Sequence, residues 1–175
     1  MTETRRIARM GMLTSLSLLL SYVESLLPSF FTIPGIKLGL ANTAVVFALY
    51  TLPLADVFLV STMRVFISSL LFGNVLSLLY SLSGALLSLV VMALMKRTGM
   101  SVQSVSISGG IVHNGAQLLV AALVVQSTAL RYYLPFLLIS GSVTGFAIGE
   151  AASLILVRLE RTGELTLLSE KDGAI

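Results

Sequence analysis

The stretch VLSLLYSLSGALLSLVVMALM, residues 75–95, contains no charged side chain and ends directly before the basic pair Lys96 and Arg97. A helix needs about 20 apolar residues to cross the roughly 30 Å hydrocarbon core of a bilayer, and this stretch is long enough. It is the least ambiguous segment of the chain. It predicts a transmembrane helix, and the remaining segments are assigned outward from it.

The composition of the whole chain agrees with a membrane protein. Its 175 residues are 56% hydrophobic and only 11% charged, with a mean hydropathy of +0.98. Soluble domains carry about 25% charged residues, so this chain lacks the polar side chains that a water-facing surface requires. We therefore predict a single transmembrane domain over residues 1–175 that is in contact with membrane lipid. The net charge of +3 indicates membrane orientation, and we predict no nucleic-acid partner.

The residue counts also exclude several kinds of cofactor site. The chain has no Cys, which excludes thiolate-bound iron–sulfur clusters, disulfides and thiol nucleophiles. It has a single His, His113, which excludes haem ligation by two histidines. We predict that the chain uses no cofactor and no metal.

Five further apolar segments complete a predicted all-α integral membrane bundle of six transmembrane helices. Residues 28–39, PSFFTIPGIKLG, contain two prolines and two glycines and predict a loop after the first span. The span after this loop is short, so it must tilt or be shielded by neighbouring helices. The six spans are predicted at about 8–27, 38–52, 54–72, 75–95, 105–125 and 134–157, followed by a cytoplasmic tail over 158–175.

The distribution of basic residues predicts the orientation of the bundle, because cytoplasmic loops of membrane proteins carry an excess of Lys and Arg. With six spans and both termini in the cytoplasm, the inner side receives far more basic residues than the outer side. We therefore predict a multi-pass protein of the bacterial plasma (inner) membrane with both termini cytoplasmic. The inner residues are Arg5, Arg6, Arg9, Lys96, Arg97, Arg158, Arg161 and Lys171, and the outer residues are Lys37 and Arg131.

Small residues recur at four-residue spacing on several predicted helices. Membrane helices approach one another through such residues, because lipid offers little hydrophobic reward for association. Gly141, Gly145 and Gly149 form a ridge on the last span, Ser77, Ser81 and Ala85 form one on the fourth, and Gly11 and Ser15 are such a pair on the first. These patterns are typical of packing inside the bundle. The alternative is a surface for docking a partner membrane protein, on the first span.

The fifth span carries the sharpest polar pattern in the chain. Its polar and small residues occur at positions i, i+3, i+4 and i+7 and therefore share one helical face: Gly110, His113, Asn114 and Gln117. A polar stripe cannot face lipid, so it must face the interior of the bundle, where it offers hydrogen-bond donors and acceptors. Binding of a small molecule is the functional interpretation, and hydrogen bonding between helices is the alternative.

Two charged residues, Arg64 and Glu150, lie at bilayer depth. At a rise of 1.5 Å per residue, both of them and His113 sit roughly 12 Å from the predicted inner boundary. A charge at that depth costs about 2.5 to 3.5 kcal/mol on insertion scales, so each requires a partner or a water-filled cavity. One interpretation is an Arg64–Glu150 ion pair that fixes helix register; the other is a substrate cavity or a proton path.

Further polar residues lie nearer the predicted outer side and are candidates for the upper wall of a substrate pocket. They are Glu24, Lys37, Asn42, Asn74 and Tyr80. Together with Arg64 and His113, Lys37 suggests a ligand that bears negative charge or carbonyl oxygens.

Three segments of the chain resemble one family of small membrane proteins. They are IPGIKLGLANTAVVFALY (33–50), FGNVLSLLYSLSGALLSLVVMAL (72–94) and GGIVHNGAQLLVAALVV (109–125). The family is heptaprenyl diphosphate synthase component I, also called the Gx transporter family, and the resemblance covers nearly all of the chain. Its members are similar to the substrate-binding S components of energy-coupling factor (ECF) transporters. This resemblance implies an ECF S-component-like fold with six helices, cytoplasmic termini and a loop between helices 1 and 2 that caps an outward-facing site.

The two family names imply different functions, and the residues bear on both. A prenyl diphosphate synthase binds its substrate through magnesium held on aspartate-rich DDxxD clusters, whereas this chain contains only Asp56 and Asp172. The chain also lacks a Walker A loop, so ATP hydrolysis requires a separate subunit. We therefore predict that the chain is not an enzyme and has no catalytic residue.

Our leading prediction is a substrate-binding subunit, S component-like, of an ECF-type uptake transporter. It would capture a small or amphipathic molecule from the outer side and work with ECF scaffold and ATPase subunits. S components often present alanines four residues apart on helix 1 to the scaffold. Here Ala8 is followed at that spacing by Met12, and the nearest small pair is Gly11 and Ser15.

Two other functions compete with this prediction. The first is a non-catalytic membrane partner in polyprenyl diphosphate or quinone metabolism, bound to a soluble prenyltransferase or a flavoprotein. The second is an autonomous proton-coupled carrier that uses Glu150 and His113. The carrier is the weaker of the two, because six helices without an evident inverted repeat make a small carrier.

Overall fold

The computed structural model describes residues 3–26 and 39–162, and the secondary structure of this part is helical throughout. Six α-helices are present in it, as predicted. The predicted loop, apart from Gly39, and the predicted tail beyond Thr162 lie outside the described residues. The α-helices are α1 (Glu3–Leu26), α2 (Leu40–Thr51), α3 (Leu54–Phe72), α4 (Val75–Arg97), α5 (Val102–Val125) and α6 (Leu134–Arg161), and a 3-10 helix covers Thr128–Tyr133.

Local sequence signals account for several helix boundaries. The Asn74 side chain accepts a hydrogen bond from the Ser77 backbone N–H (2.8 Å), and the Asn74 N–H donates to the Ser77 hydroxyl (2.8 Å). This capping box starts α4. Ser101 caps α5 by accepting from the Ser104 N–H (3.2 Å). Pro53, which has no N–H to donate, separates α2 from α3.

The six helices form a closed ring. The order around the ring is α1, α3, α4, α5, α6 and α2, and α2 also touches α3. Successive helices run in opposite directions, because Arg6 near the start of α1 pairs with Asp56 near the start of α3, while Lys96 near the end of α4 reaches Leu49 near the end of α2. We call the end of the ring that holds these four residues the basic end, and the opposite end the far end.

The apolar core lies in the half of the ring next to the basic end. Val57, Leu89 and Val105 in this core have no exposed surface. Because side chains from all six helices meet there, this half of the ring is filled. The core residues are Leu13, Val45, Val46, Ala48, Leu49, Leu52, Val57, Val60, Leu89, Met92, Ala93, Val105, Ile148 and Ala152.

The small-residue ridge of α6 packs against α5. A Cβ atom added to Gly145 would lie 2.7 Å from the carbonyl oxygen of Ser106, and one added to Gly149 would lie 2.8 Å from the Cα of Gln103. No side chain fits at either position, so glycine allows the two backbones to approach closely. The ridge is therefore internal packing, as its spacing predicted.

Four helical segments in the described part are long and apolar enough to cross a membrane: α3, α4, α5, and α6 together with the 3-10 helix before it. The apolar helix α2 has only 12 residues, and α1 is not among the four. Large hydrophobic side chains such as Leu70, Val75 and Leu123 cover the outside of the ring, where lipid can contact them. The helices therefore have the length and composition of a membrane protein. That all six cross the bilayer stays a prediction.

Candidate functional site

A cavity of about 440 Å³ lies inside the ring, between the far end and the apolar core. Its wall includes the exposed residues Ser25 and Asn74 at the far end, and Ser88 and Ser106 deeper in the ring. All six helices contribute to this wall, and most of the side chains on it are polar. The uncharged polar residues are Ser21, Ser25, Asn42, Ser68, Ser69, Asn74, Ser77, Tyr80, Ser81, Ser88, Ser106, Asn114, Gln117 and Thr144.

The polar stripe of α5 lies on the wall of this cavity. Helix α4 approaches the stripe closely at Gly84, where an added Cβ atom would lie 2.7 Å from the Cγ of Gln117. Asn114 donates a hydrogen bond from Nδ2 to the carbonyl oxygen of Leu137 on α6 (2.8 Å). Asn114 therefore joins two helices and also contributes to the cavity wall. The four stripe residues on the wall are Gly110, His113, Asn114 and Gln117.

Arg64 is a buried cation on the cavity wall. Only 8% of its surface is exposed, and its Nε atom is buried without a hydrogen-bond partner. It forms no ion pair within residues 3–26 and 39–162. Glu24, near the end of α1, is the carboxylate whose negative charge attracts it. A guanidinium is not deprotonated in proteins, so Arg64 keeps its positive charge.

The interpretation that Arg64 and Glu150 form an ion pair is wrong. Glu150 instead accepts a hydrogen bond from Nε2 of Gln103 (3.0 Å), and it is not among the described residues that line the cavity. The two residues are at a similar depth, but α6 packs against α5 and α2, whereas α3 packs against α1, α2 and α4. Distance along a helix follows from the sequence, whereas the order of helices around the ring does not.

The other predicted site residues have different placements. Asn42, Asn74 and Tyr80 line the cavity, as does Glu24, whereas Lys37 lies outside the described residues. The Glu24 carboxylate accepts a hydrogen bond from the backbone N–H of Gly39 (2.5 Å), which ties the end of α1 to the start of α2. Gly39 has a φ of +73°, a left-handed conformation that favours glycine.

Sequence reasoning missed the serine hydroxyls of the cavity wall. Ser77 and Ser81 on α4 belong to a row of small residues whose spacing indicated helix packing, yet both line the cavity. Ser68 and Ser69 on α3 also line it. The position of Ser68 could have been predicted from Arg64, because Ser68 follows it by four residues and so shares its helical face.

Side chains at the basic end tie neighbouring helices together. Arg6 binds Asp56 through two hydrogen bonds, from Nε to Oδ2 at 2.6 Å and from Nη2 to Oδ1. Lys96 donates from Nζ to the carbonyl oxygen of Leu49 at 2.9 Å and lies 5.0 Å from the ring centre of Tyr50. These contacts join α1 to α3 and α4 to α2. With the apolar core, they close this end of the ring.

Gly11 and Ser15 lie on an exposed face of α1. A Cβ atom added to Gly11 would have no neighbour within 4 Å, and the nearby side chains of Met12 and Leu19 are also exposed. This face therefore takes no part in packing among the described helices.

The chemistry of the cavity wall is that of hydrogen bonding and charge pairing. Its charged or titratable groups are Glu24, Arg64, His113 and Tyr80. Across residues 3–26 and 39–162, no three His, Asp or Glu side chains come together in a group that could hold a metal ion. The hydrogen-bonding and charged groups on the described wall suit an organic molecule that has polar groups.

Comparison with known proteins places the chain in one family. A family model described as heptaprenyl diphosphate synthase component I matches residues 13–155. The matched range includes all the described residues of the cavity wall and of the apolar core. No curated protein and no solved structure matches the chain at a significant level.

Proposed function

The chain belongs to the heptaprenyl diphosphate synthase component I family, and from this membership together with the cavity we propose that it is a non-catalytic membrane subunit that binds a small molecule. In this role it resembles an ECF S component. It captures a ligand, and a partner subunit performs the step that consumes energy or changes covalent bonds.

The observation that carries this proposal is a polar cavity inside an otherwise apolar bundle. Its volume of about 440 Å³ lies within the range of roughly 300 to 1,000 Å³ that is typical of small-molecule sites. Polar side chains at membrane depth are costly unless water, protein or ligand groups bind them. Asn42 and Gln117 line the cavity and form no hydrogen bond within the described residues, so their amides are available to a ligand.

The positive-inside rule supports a direction for ligand entry. It favours the basic end in the cytoplasm, with six crossing helices and both termini on that side. The far end of the ring then faces the outside. In this orientation the ligand enters the cavity from the outer side, and the apolar core and the Arg6–Asp56 pair hinder passage to the cytoplasm.

Release of the ligand to the cytoplasm then depends on partner subunits. We assign their docking to the face of α1 that carries Gly11 and Ser15, because this face is exposed and unpacked. The sequence has no Walker A loop, so a separate ATPase subunit would hydrolyse ATP and a scaffold subunit would contact α1.

The family description supports a second candidate function. The chain would then be the membrane partner of a soluble prenyltransferase, or of a flavoprotein in quinone metabolism. It would be non-catalytic, since it has two aspartates in total and one of them, Asp56, is bound by Arg6. The exposed residues Arg97, Arg158 and Arg161 at the basic end would suit an acidic surface on such a partner.

Purification from native membranes in mild detergent tests the proposal. We expect a small molecule to copurify, to be detected by mass spectrometry after extraction, and to raise the melting temperature when it is added back. Gln117→Ala should weaken its binding roughly 3- to 10-fold, the effect of one lost hydrogen bond. The control Leu119→Ala changes an exposed position on the same helix and should leave binding unchanged.

The proteins that copurify distinguish the two candidates. Recovery of scaffold and ATPase subunits favours uptake, and recovery of a prenyltransferase or a flavoprotein favours the second candidate. Preparations without any bound small molecule, together with unchanged function in Gln117→Ala, would contradict ligand binding in the cavity.

A further inference from the structure

Arg64 is the sole Lys or Arg on the described part of the cavity wall. It is more than nine-tenths buried, and no described residue forms a hydrogen bond or an ion pair with it. A buried charge without a close partner is costly, and a guanidinium cannot remove that cost by losing its proton. Water or a ligand in the cavity can supply the acceptor that the described residues do not. A carboxylate is a strong acceptor for this donor.

Glu24 limits the charge that a ligand can carry. Its carboxylate accepts the Gly39 N–H, which holds it on the same wall. Among the Lys, Arg, Asp and Glu side chains of the described wall, the positive charge of Arg64 and the negative charge of Glu24 sum to zero. A single negative group on a ligand pairs with Arg64, whereas a diphosphate with several negative charges would meet one cation and a repelling carboxylate. The described residues also lack a cluster that could hold magnesium for a diphosphate.

Neutral hydrogen-bonding groups make up most of the remaining wall. Ser68 lies one helical turn from Arg64, and the amides of Asn42 and Gln117 are free of hydrogen bonds to described residues. Apolar residues such as Val46 and Ile148 supply apolar surface between these polar groups. This wall suits a ligand body that carries hydroxyl or amide groups together with some apolar surface.

Resting on the function proposed above, we infer that the cavity binds a small organic acid with a single carboxylate, held at Arg64, and a hydroxyl- or amide-bearing body. A polyprenyl diphosphate fits the described wall poorly, because this wall holds one cation and a carboxylate. If the chain acts in prenyl diphosphate metabolism, the diphosphate binds to the soluble partner.

Thermal stability of the purified protein in detergent, measured with matched probes, tests this inference. Each pair consists of an acid and its neutral amide: gluconate with gluconamide, and 4-hydroxybenzoate with 4-hydroxybenzamide. Inorganic pyrophosphate is the diphosphate probe, and ionic strength is held constant. We expect at least one acid to raise the melting temperature more than its amide does, and pyrophosphate to have no effect.

Three variants assign the effect to Arg64. Arg64→Gln should lower the affinity for the acid by roughly 10- to 100-fold, as expected for loss of a charged hydrogen bond, and abolish the preference over the amide. Arg64→Lys keeps the charge and should keep part of the preference for the acid over its amide. If Arg64→Gln does not fold, the comparison of Arg64→Lys with wild type tests the inference. Arg131→Gln changes an exposed arginine outside the described cavity wall and should behave as wild type.

The inference is overturned if no acid stabilises more than its amide, if pyrophosphate stabilises, if Arg64→Gln keeps the preference or if Arg64→Lys loses it entirely. Failure of the underlying function looks different. A copurified neutral molecule whose effect persists in Arg64→Gln would overturn the organic-acid inference while small-molecule binding stands. Absence of any bound or stabilising molecule would overturn both.

Discussion

The two halves of the ring differ in whether a buried charged side chain has a close ion-pair partner. Near the basic end, Asp56 is 2% exposed and is bound by Arg6 through two hydrogen bonds beside the apolar core. Nearer the far end, Arg64 is also buried, but no described residue forms a hydrogen bond or an ion pair with it, and it lies on the cavity wall. Both residues belong to α3, eight positions apart. The two residues differ because Asp56 faces Arg6 of α1, whereas Arg64 faces the cavity.

This comparison shows that burial of a charge does not by itself indicate function. A buried charge with a complete set of partners holds two helices in register, as Asp56 does for α1 and α3. A buried charge without such partners, beside a cavity, is available to a ligand. The two cases predict opposite responses to the same substitution.

Replacing the partner of Asp56 should have the larger effect. Arg6→Met leaves a buried carboxylate without its ion pair. Because the Arg6 side chain is 46% exposed, water compensates for part of the loss. We expect about 2 kcal/mol of destabilisation, or roughly 4 to 8 °C in melting temperature. Arg5→Met, an exposed arginine at the same end, is the control. An unchanged melting temperature in Arg6→Met would show that the pair contributes nothing.

The same substitution at Arg64 should act in the opposite direction. Arg64→Met removes a buried charge that has no described ion-pair partner, so we expect the ligand-free protein to gain about 1 kcal/mol, or roughly 2 to 4 °C. The stabilisation that an added ligand gives should disappear at the same time. A fall in melting temperature as large as that of Arg6→Met would make Arg64 a structural residue and remove the contrast between the halves.

The helices could be predicted because the thickness of the bilayer fixes how many apolar residues a span needs. Helix α3 occupies residues 54–72, the range that hydropathy indicated. Helix α1 begins at Glu3, five residues before its apolar segment, and so includes the charged residues Arg5 and Arg6. Hydropathy marks where a segment stops being apolar, which is not where its helix ends.

The site could be predicted only in part. Helical spacing alone places His113, Asn114 and Gln117 on one face, and this face lies on the cavity. The partners of Arg64 depend on the order of helices around the ring, which one sequence does not contain. For this reason Glu150 was assigned to the wrong neighbour, and it binds Gln103.

The smallest effect on stability is expected on α1. Gly11→Leu should leave the protein at least as stable as wild type, because an added Cβ meets no described atom within 4 Å and leucine favours a helix more than glycine does, by up to about 1 kcal/mol. It should nevertheless reduce recovery of partner subunits from native membranes. Gly145→Leu, whose side chain would collide with α5, is the matched glycine that should impair folding. Full recovery of partners with Gly11→Leu would exclude this face as the docking surface.

The claim that the cavity opens to the outside can be measured directly, because the chain has no Cys and each introduced thiol is unique. The measurement is labelling of Ser81→Cys, on the cavity wall, by a membrane-impermeant maleimide applied to spheroplasts. Leu79→Cys, exposed on the outside of α4, and Thr98→Cys, at the basic end, are the controls. We predict labelling of Ser81→Cys in intact spheroplasts, none of Leu79→Cys, and labelling of Thr98→Cys only after permeabilisation. Labelling of Ser81→Cys only after permeabilisation, with Thr98→Cys labelled in intact spheroplasts, would contradict an outward-facing cavity.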